Sequence, residues 1–265
     1  MHPAISVIVP CYNQEAYIGE CIDSILKQSF NDYEIIVIND GSKDNSVAIV
    51  ESYVSRYGNK IRLINQENDG VIAARNNGIR AATGRYLLPV DGDDKLADDC
   101  LGGLYRAMED GLGDVIYGDT TCFGSKSGKL YLPEPTKWNM MLDNCMVVTA
   151  LYRKSDAEKY NGYDPYMKKG LEDWEFWLNY IEEGKTFYHI GKDVLHYRIA
   201  FNSRNTSFNK KDFSDLYQYI KTKHKRLFKL LFLAKLRNFL YRRKITNSGR
   251  RITKICKVPV WASKL

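Results

Sequence analysis

Two hydrophobic periodicities alternate along the first 120 residues. Residues 5–9 form a short apolar run of β-branched type, and residues 34–39, 61–65 and 86–90 read as further short strands rich in Ile, Val and Leu. Runs of this kind form strands buried on both faces of a parallel sheet. Between them the apolar positions fall at helical spacing. In residues 15–28 they are Ile18, Cys21, Ile22, Ile25 and Leu26, one stripe of an amphipathic helix. Residues 46–57 give a second helix closed by Gly58, and residues 71–82 a third with Gly84 just beyond. Residues 98–110 give a fourth, weakened by Gly102 and Gly103. A short strand follows at 114–117.

Repeated βα units of this length predict an α/β fold, a mostly parallel, doubly wound sheet with helices on both faces. Polar clusters follow strand after strand, at 10–13, 39–44, 66–70 and 91–94. In a parallel sheet all four gather at the carboxyl edge, where such sheets bind ligands.

Beyond residue 120 the pattern loosens. Residues 120–144 read as irregular, with Pro133 and Pro135, and 145–152 as a strand. Residues 160–170 read as a loop, 172–183 as an aromatic-rich helix ended by Gly184, and 186–190 and 194–199 as two strands. From Phe213 onward the chain is helical and basic. A boundary near Ser207 divides a body, 1–207, from an extension, 208–265.

Charge sharpens that division. The extension holds 17 Lys and Arg against 2 Asp, a net of +15, whereas the body holds 22 basic and 30 acidic residues, a net of −8. An acidic body with a basic tail points to an anionic surface as the tail's partner. The tail mixes its charges with Leu, Phe and Tyr, as an interfacial helix on anionic lipid does, and a helix packed on the body with a solvated basic rim is the other reading. No recognised nucleic-acid module accompanies the charge, so nucleic acid is not expected as a partner. The apolar stretches fall short of the ~18 residues that a spanning helix needs. The start shows no basic and apolar leader. The six cysteines lack CxxC spacing and paired histidines. A reducing cytoplasm is the expected setting.

The run Leu87-Leu88-Pro89-Val90-Asp91-Gly92-Asp93-Asp94 carries the most chemistry: an apolar strand ending in three carboxylates. Acids so close repel one another unless something positive lies between them. A divalent cation holding a diphosphate fits, because hard oxygen ligands and phosphates share such ions. A solvated turn capping the next helix is the alternative. Neither GxGxxG nor GxxxxGK[ST] is present, which excludes the common dinucleotide and P-loop arrangements.

Six motifs then occur in order: Ser6-Val7-Ile8-Val9-Pro10-Cys11-Tyr12-Asn13; Asn39-Asp40-Gly41-Ser42-Lys43-Asp44; Asn68-Asp69-Gly70 with Ala74-Arg75-Asn76; Thr83-Gly84-Arg85-Tyr86; Asp91-Gly92-Asp93-Asp94; and Glu172-Asp173-Trp174. The series resembles glycosyltransferase family 2, the inverting enzymes of the GT-A fold, over about three quarters of the chain. The resemblance implies a catalytic domain over 1–207, with a nucleotide-sugar half at 1–120 and an acceptor half at 121–207. It implies Asp91 on the ribose, Asp93 on Mn2+ or Mg2+, and Pro10, Tyr12, Asp40, Asn68 and Arg75 around the nucleoside. It makes Asp173 the general base, with Glu172 and Trp174 toward the acceptor and Arg198 toward the diphosphate. Trp174 reads equally as core, from its helical spacing with Phe176 and Trp177, and Arg198 as a surface ion pair. Where similar enzymes place a late histidine this chain has Ala200, with His196 four residues earlier.

The implied function is inverting transfer from a nucleotide-sugar, a UDP-sugar, to a saccharide or lipid-linked saccharide acceptor in surface polysaccharide or glycolipid synthesis. The setting is the inner face of the cell membrane. A non-catalytic nucleotide-sugar-binding scaffold is the alternative.

Overall fold

A computed structural model describes residues 2–199 and 210–229. In chain order its elements are β1 (Ile5–Cys11), α1 (Ile18–Leu26), β2 (Tyr33–Asp40), α2 (Ser46–Tyr57), β3 (Ile61–Gln66), α3 (Val71–Ala81), β4 (Tyr86–Pro89) and β5 (Lys95–Leu96). There follow α4 (Cys100–Glu109), β6 (Val115–Gly124), β7 (Gly128–Leu130), α5 (Lys137–Met140), β8 (Leu151–Arg153) and α6 (Lys154–Lys159). The described chain ends with α7 (Glu172–Glu182), β9 (Phe187–Ile199), α8 (Lys210–Lys223) and α9 (Lys225–Phe228).

Every residue of β1 and β2 is buried, which explains why both are predominantly apolar, and the buried Ser6 and Glu34 hydrogen-bond to each other. Alternate side chains enter two separate cores. Ile8, Ile36, Ile38 and Leu87 pack on one face with residues of α3, α7 and α8. Val7, Val9, Ile35, Val37 and Leu88 pack on the other with residues of α1 and α4. The sheet runs β3-β2-β1-β4-β8-β6-β9-β5, with β7 on the outer part of β6. Strands β3, β2, β1 and β4 are mutually parallel. Strand β8 is antiparallel to both β4 and β6, and β6 is parallel to β9. Two reversals restore direction, so β6 and β9 point the same way as β1–β4. The carboxyl ends of β1, β2, β3, β4 and β9 therefore share one edge.

The α/β reading holds, and so do most elements of the first 120 residues. Several details differ. The short strand read at 114–117 extends to Gly124, and the stretch 120–144, read as irregular, also holds β7 and α5, whose few residues are too short to show a period. Residues 145–150 are loop, with only Leu151–Arg153 in a strand. Cys145, Met146, Val148 and Ala150 are nonetheless buried, and an apolar run reports burial rather than conformation. The two late strands are one, β9, which passes Gly191 at a register shift against β6. Helix α6 and the turn at Pro165–Met167 occupy stretches with no clear periodicity. The boundary near Ser207 lies outside the described residues, as does the tail beyond residue 229.

Candidate functional site

The first two loops of the carboxyl edge hold each other. Asn13, with φ of 51°, accepts from the Lys43 amide through Oδ1, and its own amide donates to Ser42 Oγ. The amides of Gln14 and Glu15 donate to Ser46 Oγ and Asp44 Oδ2. This closed framework leaves Pro10 buried in β1 and the Tyr12 ring 47% exposed at the rim.

Asp40, at the end of β2, is 3% exposed. Its Oδ1 accepts from Gln66 Nε2 and the Asp69 amide, and its Oδ2 from the Gly70 amide. Asn68 Nδ2 donates to the Asp40 carbonyl. Asp40 and Asn68 thus shape the entry to α3. A Cβ on Gly41 would lie 2.9 Å from the Asn68 nitrogen, at a φ of 71°, so both space and conformation require glycine there.

Arg75 projects from α3 into the centre of the acids and is 3% exposed. Its Nη2 lies 2.8 Å from Asp91 Oδ1 and 3.0 Å from Oδ2. Its Nη1 lies 3.0 Å from Asp173 Oδ1 and 3.2 Å from Glu172 Oε1. One cation therefore ties the acid that ends β4 to the Glu-Asp pair that begins α7. Burial alone would pull the Arg75 pKa down, but the charges of Asp91, Asp173 and Glu172 hold it well above the ordinary value. Three carboxylates thus share one guanidinium. Asp173 sits in the first turn of α7, where the helix dipole favours an anion. Leu171, just before it, adopts φ of 63°, an uncommon conformation for leucine, and turns the chain sharply into the helix.

Beside this pair, burial and the charge of Asp91 push Asp93 up to about 6. Burial, with the charges of Asp93 and Asp91, raises Asp94 well above the carboxylate range. Asp94 Oδ1 accepts from the Arg198 amide at 2.7 Å, while its Oδ2 is buried and, among the described residues, has no hydrogen-bond partner. The Arg198 side chain crosses over the same turn. Its Nε donates to the Asp93 carbonyl, its Nη2 pairs with Glu20, and its guanidinium lies 4.2 Å from the Tyr17 ring centre. Among the described residues no group of three or more His, Cys, Asp or Glu side chains is arranged to hold a metal ion alone. The donor set does suit a cation that arrives with phosphates: Mg2+ takes one or two carboxylates and completes its shell from the substrate. Asp93 and the unpartnered Asp94 oxygen supply hard ligands of that kind.

The fold thus brings Asp91, Asp93, Arg75, Glu172, Asp173 and Arg198 to one edge, with Pro10, Tyr12, Asp40 and Asn68 beside them. Arg75 is no surface helical charge, and its guanidinium is committed to three carboxylates rather than open toward a nucleoside. Trp174, read as a possible acceptor contact, is core instead. It is 1% exposed, its Nε1 donates to the Met140 carbonyl, and its ring stacks on Tyr217. His196 lies with its ring against Phe123, and Ala200 is outside the described residues. Sequence reasoning passed over Asp94 as a partner of β9, and Tyr197, whose pKa is raised by burial and by the charges of Asp94, Asp91, Asp93 and Asp173. The triple acid run and the His196-Tyr197-Arg198 string were the available signals for both.

The profile of the family described as "Glycosyl transferase family 2" matches residues 6–213. Over 142 residues the chain is 42% identical to the uncharacterized glycosyltransferase EpsJ of Bacillus subtilis, a match covering 54% of this chain and 41% of that protein. It is 29% identical over 216 residues to the poly(ribitol-phosphate) beta-glucosyltransferase of Bacillus spizizenii, covering 74% of this chain and 34% of that protein. The chain thus spans less than half the length of these two relatives. Among solved structures, S. aureus TarS 1-349 in complex with UDP-GlcNAc superposes with a TM-score of 0.70 at 24% identity, covering 84% of this chain and 66% of that one. That likeness establishes a shared fold.

Proposed function

The chain belongs to glycosyl transferase family 2, and from that premise we propose that it transfers a sugar from a UDP-sugar to an acceptor hydroxyl with inversion. The observation that carries this reading is the Arg75 bridge. It holds Asp91, the acid that would contact the donor, on Nη2 and Asp173, the acid that would act as base, on Nη1 of one guanidinium.

In this reading the exposed Tyr12 ring stacks on the base of the nucleotide, with Pro10, Asp40 and Asn68 shaping that pocket. Asp91 contacts the ribose, and Asp93 holds Mn2+ or Mg2+ with the diphosphate. When bound, the cation offsets the charge that develops on the departing diphosphate. Arg198, above the Asp93–Asp94 turn, adds a second positive group there. Asp173 takes the proton of the attacking hydroxyl. Its side chain is 24% exposed, so an acceptor can reach it, and Arg75 fixes its orientation. Glu172, at 4% exposure, orients Arg75 rather than touching the acceptor.

The UDP-GlcNAc bound by TarS supports a UDP-sugar donor, and the poly(ribitol-phosphate) beta-glucosyltransferase among the relatives supports a cell-surface acceptor, for which we propose a saccharide, free or lipid-linked. No described helix is long and apolar enough to cross a membrane. The basic extension supports peripheral attachment to an anionic membrane on its cytoplasmic side. A thermal-shift panel of nucleotide-sugars with and without Mn2+ tests the proposal. A UDP-sugar should raise the melting temperature by mass action, and more so with Mn2+. No shift with any nucleotide-sugar under either condition would overturn it.

A further inference from the structure

The family match ends at residue 213, inside α8, yet the remainder of α8 and α9 is joined closely to the helix that carries Asp173. His224, between α8 and α9, is 1% exposed. Its Nδ1 lies 2.8 Å from Glu182 Oε2 and its Nε2 3.0 Å from Glu175 Oε1. Glu175 and Glu182 are two helical turns apart on α7, so one imidazole holds both ends of one face of that helix. Lys223 adds a second tie, 2.7 Å from Glu175 Oε1 and 2.6 Å from Asp164 Oδ2. The Tyr219 hydroxyl donates to the same Asp164 oxygen. Tyr219 stacks on Tyr166 with centroids 4.1 Å apart, and Tyr217 on Trp174, the residue next to Asp173. Lys169, at the entry to α7, pairs with Asp212.

These contacts are more than incidental packing. Glu175 is fully buried, and a buried carboxylate without a partner is strongly unfavourable. Its Oε1 meets Lys223 Nζ and His224 Nε2 from the C-terminal segment, besides Asn179 Nδ2 of α7 itself, while its Oε2 is buried and, among the described residues, has no hydrogen-bond partner. Glu175 lies two residues beyond Asp173, in the same opening stretch of α7. That stretch is entered through Leu171 in a left-handed conformation, which persists only where its surroundings over-determine it.

We propose that α8 and α9 form a positioning clamp. His224 and Lys223 touch no reacting atom; they fix α7 through Glu175 and so hold Asp173 in place against Arg75. The inference rests on the reading of Asp173 as the base. A misplacement of about 1 Å at a reacting group can cost as much as a hundredfold in rate.

The test uses the full chain, Mn2+ and the UDP-sugar selected by the thermal-shift panel, with UDP release as the assay. In His224→Ala, kcat should fall about tenfold or more while the donor KM stays within about twofold. Hydrogen exchange should rise in amides 172–182 and stay unchanged in β1 and β2. His224→Gln, which keeps a donor toward one carboxylate, should recover part of kcat. Should His224→Ala fail to fold, Lys223→Gln should show the same direction with a smaller effect. A kcat within twofold of wild type, or a parallel loss of kcat and donor affinity with no recovery by glutamine, would overturn the clamp. A wild-type protein that releases UDP from no donor would sink the reading of the site instead. Exchange at amides 172–182 would then decide alone whether the helices order α7.

Discussion

Arg75 Nη1 and Asp173 Oδ1 lie 3.0 Å apart although 98 residues separate them in the chain. Nη2 of the same guanidinium reaches both Asp91 oxygens, so a single side chain joins the donor-side acid to the acceptor-side acid. Donor and acceptor must meet along one line for inversion, and a buried fork with fixed geometry is a physical means of setting that line.

Removal of this cation should be costly. Arg75→Met leaves three carboxylates facing one another, one of them only 4% exposed. Breaking a buried ion pair by deleting one partner costs about 3 kcal/mol. A fall of that size in the unfolding free energy is expected from urea denaturation at neutral pH, together with loss of UDP release. Arg75→Lys keeps the charge but not the fork and should lose less stability. An unchanged urea midpoint in Arg75→Met would refute the bridging role.

Asp173→Asn is nearly isosteric and removes only the basic oxygen. Transfer should drop at least about a hundredfold, the scale of general-base catalysis. UDP affinity in the presence of Mn2+ should stay within about threefold, since no binding role is assigned to this group. Calorimetric titration with UDP, paired with a UDP-release assay, separates the two. Undiminished transfer would reject Asp173 as the base.

Asp93→Asn addresses the metal. Wild type should bind UDP more tightly with Mn2+ than without, and the variant should lose most of that difference while its metal-free affinity changes little. Equal enhancement by Mn2+ in both proteins would remove Asp93 from the cation site.

The acid range offers a separate test of the fold. Burial would raise the Glu34 pKa, but hydrogen bonds from Ser6 and from the amide and hydroxyl of Thr83, with the charge of Arg62, bring it below its ordinary value of 4.5. A depressed carboxylate stabilises the folded state fully above its unfolded pKa, and this contribution is lost as pH falls through the folded value. Unfolding free energy should therefore decline from about pH 4.5 downward. Glu34→Gln should show a shallower decline over that window, measured by urea titrations at stepped pH. Identical slopes would exclude Glu34 from the acid response.

The basic extension should bind anionic vesicles in a salt-dependent way. Each basic residue near such a surface contributes about 1 kcal/mol. Replacing Arg242, Arg243, Lys244 and Arg250 with Glu should weaken co-sedimentation with phosphatidylserine vesicles by at least about a hundredfold. Equal sedimentation of both proteins would point to a tail that packs on the body.

Much of this architecture is legible in the chain. The runs at β1 and β2 are predominantly apolar because both faces of those strands are covered, and α1 shows its stripe at Ile18, Cys21, Ile22 and Ile25. Residues 145–150 misled because a buried loop and a buried strand select the same side chains. Trp174 misled for a related reason: an indole suits a sugar face and a protein core equally, and only its hydrogen bond to the Met140 carbonyl distinguishes them. Asp94 was visible as an acid but not as the partner of the Arg198 amide, which lies 104 residues away.

By itself the sequence determined which segments are buried, in what order strands and helices alternate through the first four strands, and that acids follow the fourth. Those properties are local, since burial imprints its period on neighbouring residues. The tertiary structure alone decided that Arg75 faces Asp91, Glu172 and Asp173, and that His224 reaches Glu175 and Glu182. Charge partners are chosen by distance in space, and only the turning of the sheet sets that distance.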